Sequence, residues 1–336
     1  MKNNMYEVYF DSGTTNTRMY VLNTSGELIF TSKKSVGSKD TVLTNDRQFL
    51  VRELYALYNS MLEHLHLKDS DISSIWMSGM VTSKNGIIEV PYISVPITLK
   101  FLADEVFTYF EPNFFRRDIL FIPGIKSVPK ELQIEISNVD QVNNMRGEET
   151  EIMGILSCGI ATKGSCVIVL PGSHTQVAIL QDGIIVNIIS TVTGELYKAI
   201  QKETILSENL TDVGSAVDKE MVALGYKNLV RHGFNRAIYI VRSLLLFTEA
   251  TDFQRSSYLE GVLNGGVIQA VKAVLGEKSN VNFFISGSET QYQIFSAITE
   301  KYCPDFTVRK ISVENDFPFS LLGFKAIKSE YSGGTK

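Results

Sequence analysis

The segment Asp11-Ser-Gly-Thr-Thr-Asn-Thr-Arg18 sets a carboxylate before a glycine turn, hydroxyl side chains along it and a guanidinium after it. Glycine lets the backbone approach a phosphate closely, successive amides and hydroxyls can donate to its oxygens, and a carboxylate at a strand end can hold a hydrated magnesium ion. Each part meets one need of phosphoryl transfer. Gly13, Thr14, Thr15, Asn16 and Arg18 are therefore candidate phosphate contacts, and Asp11 is the candidate metal ligand. The same residues would also serve an ordinary hairpin turn.

Three further segments could join such chemistry. In Met145-Arg-Gly-Glu-Glu-Thr-Glu-Ile-Met-Gly154 the apolar pattern beyond Thr150 predicts a helix beginning near Gly147. Glu148 and Glu149 then fall in its first turn, where the helix dipole favours a charged carboxylate and Arg146 can pair with it. A carboxylate fixed there can accept a hydroxyl proton, so Glu148 is the candidate base. Two solvated glutamates that only stabilise a helix start are the competing reading. Leu170-Pro-Gly-Ser-His-Thr-Gln176 offers a second glycine turn, with Gly172, Ser173 and His174 as candidate phosphate contacts. Leu170 stands where the first turn has Asp11, so only the first turn should serve the metal. Phe283-Phe-Ile-Ser-Gly-Ser-Glu-Thr290 is a buried strand, a glycine turn and a helix start whose amides point outward, which adds Gly287 and Ser288.

The elements that must position these turns can be read from periodicity. Tyr6–Phe10, Thr17–Leu22 and Glu27–Ser32 alternate as three strands of a meander, and Cys166–Leu170, Thr175–Leu180 and Ile184–Thr191 repeat the arrangement. Asp46–Leu67, Tyr258–Leu275 and Gln291–Lys301 carry apolar residues at helical spacing, and Asn280–Ser286 is a short apolar strand ending at Gly287. Strand and helix blocks alternate in both halves, which predicts an α/β architecture. A chain of 336 residues, 44% hydrophobic and 21% charged, is long enough for two cores, and a weakened pattern near residues 125–145 puts the expected boundary at 135/136.

The formal net charge of −5 gives no general attraction to nucleic acid or to an anionic membrane. No apolar run has the roughly 18 residues of a membrane helix, and no secretory leader pattern opens the chain, so a soluble cytoplasmic protein is expected. Cys158, Cys166 and Cys303 form no CxxC pair and are read as buried structural thiols.

The order of the four segments is that of the glycerol and gluconate kinases of the actin/hexokinase-type superfamily. The chain resembles one group of that superfamily more closely, the 2-keto-3-deoxygalactonokinase family. The likeness rests on the Asp11–Arg18 segment, Ser78-Gly-Met-Val-Thr82, Val90-Pro-Tyr-Ile-Ser-Val-Pro96, Ile122-Pro-Gly124, Asn144-Met-Arg-Gly-Glu-Glu-Thr150, Pro171-Gly-Ser-His174 and Thr193-Gly-Glu-Leu196.

That resemblance implies a two-domain, ribonuclease H-like ATPase fold with mixed sheets flanked by helices. Residues 1–135 would carry the metal and phosphate turn with the sugar-acid contacts, and residues 136–336 the catalytic glutamate, the second turn and the adenosine site, with a cleft between them. It implies ATP, Mg2+ and phosphorylation of the 6-hydroxyl of 2-keto-3-deoxygalactonate in sugar-acid catabolism, with a homodimer as one permitted assembly. Gly79, Met80, Val81, Tyr92, Arg146 and Glu149 become candidates for the sugar-acid pocket, where a guanidinium would match a carboxylate. The chain departs from the family pattern at Ser12, often tryptophan, and at Gln176, often lysine. Kinase action on another acid sugar, or a non-catalytic nucleotide-dependent regulatory protein on the same fold, are the alternative readings.

Overall fold

In the first expected meander, β1 (Tyr6–Ser12) is buried in its centre on both faces, while β3 (Leu28–Lys34) alternates between half-buried and exposed positions, as an edge strand does. Between them β2 (Thr17–Asn23) pairs antiparallel with both. The computed structural model describes residues 5–206, 208, 210, 212–276, 280–313 and 317–333. By contacts the chain forms two units, residues 1–160 with 313–336 and residues 161–312.

In the first unit, α1 (Ser38–Thr44) and α2 (Phe49–His64) lead to β4 (Ile72–Gly79), which returns parallel to β1. Leu50, Leu54, Tyr58 and Met61 of α2 pack on the sheet with Val8, Phe10 and Met77. Next come β5 (Ile93–Ser94), α3 (Leu99–Asp104), β6 (Phe107–Glu111), β7 (Arg117–Phe121), β8 (Ile125–Lys126), β9 (Asn144–Met145) and α4 (Glu148–Ser157). The main sheet runs β3-β2-β1-β4-β7-β6, and a small second sheet runs β5-β8-β9.

The second unit repeats the plan. A meander of β10 (Ser165–Leu170), β11 (His174–Gln181) and β12 (Ile184–Val192) is followed by α5 (Gly194–Glu203), α6 (Lys219–His232), α7 (Phe234–Phe247) and α8 (Asp252–Leu275). Then β13 (Val281–Ser286) lies parallel to β10, α9 (Glu289–Tyr302) follows, and β14 (Phe306–Ile311) lies parallel to β13. The order is β12-β11-β10-β13-β14. Both sheets thus begin with the third, second, first and fourth strand of their unit, the ribonuclease H-like order expected for each half. The last helix, α10 (Phe319–Glu330), belongs to the first unit.

Several expectations are corrected. The contacts do not divide the chain at 135/136 but after Ile160 and again after Ser312, so Glu148 lies in the first unit. The cause is α4, which packs on α10: a Cβ on Gly154 would stand 1.9 Å from the Phe319 carbonyl oxygen, and one on Gly323 would stand 1.7 Å from that of Thr150. Two glycines let the helix backbones touch, and that contact ties α4 to the chain's C-terminal segment. Helix α8 starts at Asp252 rather than Tyr258, because Thr251 caps it and Gln254 bonds back to the Thr251 amide. Cys166 and Cys303 are buried as expected, but Cys158 is exposed beyond the end of α4. Among the described residues no helix is long and apolar enough to cross a membrane.

Candidate active site

In the first unit three of the sequence segments meet. Strands β1 and β4 are parallel neighbours in a register that sets Asp11 beside Ser78 and Ser12 beside Gly79, at their carboxyl ends. Gly79 has φ +83°, and a Cβ there would stand 2.4 Å from the Ser12 carbonyl oxygen. Gly147, with φ +113°, in turn lies against Gly79, since a Cβ on it would be 3.3 Å from the Gly79 Cα. The start of α4 is thereby seated on the ends of β1 and β4, and Glu148 is its first residue.

Glu148 is partly exposed, and its Oε2 accepts the Arg146 amide at 3.1 Å. Glu149 is wholly buried, with Oε2 accepting the Gly147 amide at 2.6 Å. Burial, reinforced by the neighbouring Glu148 charge, pushes the Glu149 carboxyl up to about 8. Both Asp11 and Glu149 act on the buried Tyr9 hydroxyl, which bonds Ser78 Oγ at 2.7 Å and is raised first by burial and then by the Asp11 charge. Burial also raises the Asp11 carboxyl, against a Ser320 hydrogen bond and the Arg18 guanidinium, 3.9 Å away.

The glycine turn is braced from behind. The Gly13 amide donates to Asn16 O at 2.8 Å, and the Ser38 and Lys39 amides at the start of α1 hold the Gly13 and Thr14 carbonyls at 3.3 and 3.0 Å. Thr14, Thr15, Asn16 and Arg18 are exposed. Among the described residues no three His, Cys, Asp or Glu side chains gather to cage a metal, so Asp11 stands as a single strand-end carboxylate. That donor set fits Mg2+, which keeps most of its waters and takes one or two carboxylates with substrate phosphates, better than an ion that needs a full protein cage.

Two sugar-acid candidates lie elsewhere than expected. Val81 is fully buried in the core, and Glu149 is sealed from solvent beneath Glu148. Arg146 is committed to the protein: Nη1 donates to Thr82 O at 2.6 Å and also to the Thr82 hydroxyl, Nη2 donates to Val90 O at 3.0 Å, and the guanidinium lies 4.0 Å above the Tyr92 ring. Only its Nε is buried without a partner. Met80 and Tyr92 are partly exposed, and Tyr92 lines a cavity of about 550 Å³ with Pro91, Pro96 and Lys126.

The second unit brings two more segments to one place. A cavity of about 440 Å³ is bordered by Pro171 and Gly172 from the second glycine turn and by Ser288 and Thr290 from the strand-turn-helix junction. Gly194 explains the otherwise unassigned Thr193-Gly-Glu-Leu196 segment: a Cβ there would stand 2.6 Å from the Gly172 carbonyl oxygen, so α5 can start directly against the turn. The Glu195 amide donates to Ser173 O at 3.0 Å, and Thr193 bonds Thr175 at 2.7 Å. Ser288 caps α9 by accepting the Gln291 amide at 3.2 Å, and Gly287 leaves room for the Gln291 side chain that bonds back. His174 is exposed and pairs with Glu195 at 2.9 Å. Sequence reasoning missed Thr193, Lys198, Asp212, Glu260 and Asn264, all of which line the cavity. The last two carried a signal, being polar residues four apart in an otherwise apolar stretch of α8.

A family model described as 2-keto-3-deoxy-galactonokinase matches residues 11–309. The chain belongs to this family. Its curated relatives include a protein of Rhizobium meliloti provisionally named 2-dehydro-3-deoxygalactonokinase, 26% identical over 84% of this chain and 85% of its own length. Another is the 2-dehydro-3-deoxygalactonokinase of Escherichia coli, 24% identical over 65% of this chain and 68% of its own. A solved structure of a Sinorhizobium meliloti protein, provisionally assigned to the same kinase, covers 97% of each chain with a TM-score of 0.73 at 21% identity, which shows a shared fold. Within the 2-keto-3-deoxy-galactonokinase family, the Ser12–Gly79–Gly147 contact and the Gly172–Gly194 contact are what the separate glycine segments of the sequence build in this member.

Proposed function

We propose that the protein is an ATP-dependent phosphotransferase that places the γ-phosphoryl group on the 6-hydroxyl of 2-keto-3-deoxygalactonate (2-dehydro-3-deoxy-D-galactonate). Family membership and the relatives' names support the reaction class and the acceptor. The observation that carries the reading is the seating of α4 on β1 and β4 through Gly147 and Gly79, which fixes Glu148 near the strand end that bears Asp11.

In this reading the 6-hydroxyl gives its proton to Glu148 as its oxygen attacks the γ-phosphorus. Glu148 suits the task because it is partly exposed, stands in the first helical turn where the dipole favours a carboxylate, and is held in orientation by the Arg146 amide. The buried, proton-retaining Glu149 instead braces the turn below it. Gly13, Thr14, Thr15, Asn16 and Arg18 would meet phosphate oxygens, and Asp11 would hold Mg2+, which when bound neutralises phosphate charge. The cavity lined by Gly172 and Ser288 takes the nucleoside, and their chain neighbours Ser173, His174 and Gly287 would meet its phosphates. Gly79, Met80 and Tyr92 border the sugar acid. Arg146 organises that wall by clamping the Thr82 and Val90 carbonyls.

Release of ADP, followed with a panel of sugar acids at saturating ATP and magnesium, tests the reading. The expected result is turnover that depends on 2-keto-3-deoxygalactonate and exceeds that with gluconate or with other ketodeoxy acids. A preference for another acid reassigns the acceptor, and ATP binding without acceptor-stimulated turnover would make the protein a nucleotide-dependent regulator.

A further inference from the structure

The cavity of the second unit has a polar wall that the phosphate turns do not explain. Glu260 and Asn264 lie one turn apart on α8, Tyr197 and Lys198 come from α5, and Asp212 comes from the loop before α6. Neighbouring Leu259, Val262 and Leu263 are core residues, so Glu260 sits at the apolar boundary of the cavity. Ionising a carboxyl there is costly, and burial, with Asp212 adding to it, raises Glu260 to about 7. Its side chain is nonetheless oriented: Asn264 Nδ2 donates to Oε2 at 2.8 Å. Among the described residues Oε1 has no hydrogen-bond partner. Glu260 and Asp212 line the same cavity as Tyr197, so both carboxyl groups belong to one wall.

We propose that Glu260, with Asp212, reads the sugar of the nucleotide by accepting hydrogen bonds from the vicinal hydroxyls of a ribose. This rests on the reading of the cavity as the nucleotide site. Above about pH 7, where Glu260 gives up its proton, the two side chains present carboxylate acceptors, and a vicinal diol presents two donors side by side. A purine edge mixes donors with ring-nitrogen acceptors, which would face the carboxylates unfavourably. The wall therefore selects ribonucleotides over 2′-deoxyribonucleotides, with the diol supplying the partner that Glu260 Oε1 lacks.

The test is calorimetric titration of the full chain with ADP, 2′-deoxy-ADP and GDP, which needs no turnover. Wild type should bind ADP about 10-fold or more tighter than 2′-deoxy-ADP, the scale of a lost hydrogen bond to a charged group. Glu260→Ala should cut that preference to about threefold or less while changing 2′-deoxy-ADP binding by less than about threefold. Should Glu260→Ala fail to fold, Asp212→Asn on the adjoining loop is held to the same reduction. An unchanged ADP to 2′-deoxy-ADP ratio in the variant overturns the proposal while leaving the nucleotide site standing. A change confined to the ADP to GDP ratio overturns it in favour of base recognition. Absence of binding by any nucleotide to wild type overturns the nucleotide reading itself.

Discussion

Gly79 lies so close to Ser12 that a Cβ on it would be 2.4 Å from the Ser12 carbonyl oxygen, and its φ of +83° is one that side-chain-bearing residues rarely adopt. Neither problem can be relieved by a rotamer change, because both lie in the backbone. Gly79→Ala should lower unfolding free energy by about 1–3 kcal/mol and impair turnover more than nucleotide binding, since the start of α4 rests on Gly79. Urea titration and nucleotide calorimetry check this. A wild-type midpoint with full turnover would show that the contact yields easily.

The two adjacent glutamates should separate by role. Glu148→Gln is expected to keep ATP and acid binding and to lose turnover by about 100-fold or more, the usual scale for a general base. Glu149→Gln should retain most of the turnover, because an amide oxygen can still accept the Gly147 N–H in the buried site. Steady-state kinetics on both variants decides. The opposite ranking would move the base to Glu149.

Stability should fall as pH rises toward 8, and Glu149 should be one cause. Its folded carboxyl titrates near 8, above its ordinary value of 4.5, so the folded state holds the extra proton between those values. Stability from this group is therefore full below about pH 4.5 and is lost as pH climbs through 8, at no more than about 1.4 kcal/mol per pH unit. Glu260, raised to about 7, adds a slope of the same sign over a narrower window. Glu149→Gln should flatten the profile of unfolding free energy between pH 5 and 8. An unchanged slope would mean that Glu149 ionises freely in the folded protein.

Much of this was legible in the sequence, because periodicity and turn residues are local signals. Both meanders, the glycine turns and the start of α4 at Gly147 lie within a residue or two of where patterning puts them. What local patterns could not show was which distant backbones touch. The Gly154–Gly323 crossing joins segments about 170 positions apart, and it moved the unit boundary. From sequence Arg146 reads as a partner for glutamates or for a substrate carboxylate, because the acceptors it meets are the carbonyls of Thr82 and Val90, which any residue type would provide. Glu260 and Asp212 became a pair only once the loop before α6 was placed beside α8.

Arg146→Lys should cost stability before it costs affinity. A lysine keeps the charge but cannot reach both the Thr82 and Val90 carbonyls with one planar group, nor lie flat over Tyr92. A loss of about 1.5–3 kcal/mol in unfolding free energy is expected, with the Michaelis constant for ATP unchanged. A tenfold or larger rise in the acid's Michaelis constant at wild-type stability would instead make Arg146 a direct substrate ligand.

The most direct test of the proposed reaction is phosphorus NMR of a mixture of protein, ATP, magnesium and 2-keto-3-deoxygalactonate. Transfer to the 6-hydroxyl predicts a new phosphomonoester signal split by the two protons of a terminal CH2 group. The signal should grow with ADP in equal amount, and about 100-fold or more slowly when Glu148 is replaced by glutamine. ADP appearing with inorganic phosphate alone, or an ester signal split by a single proton, would contradict the account.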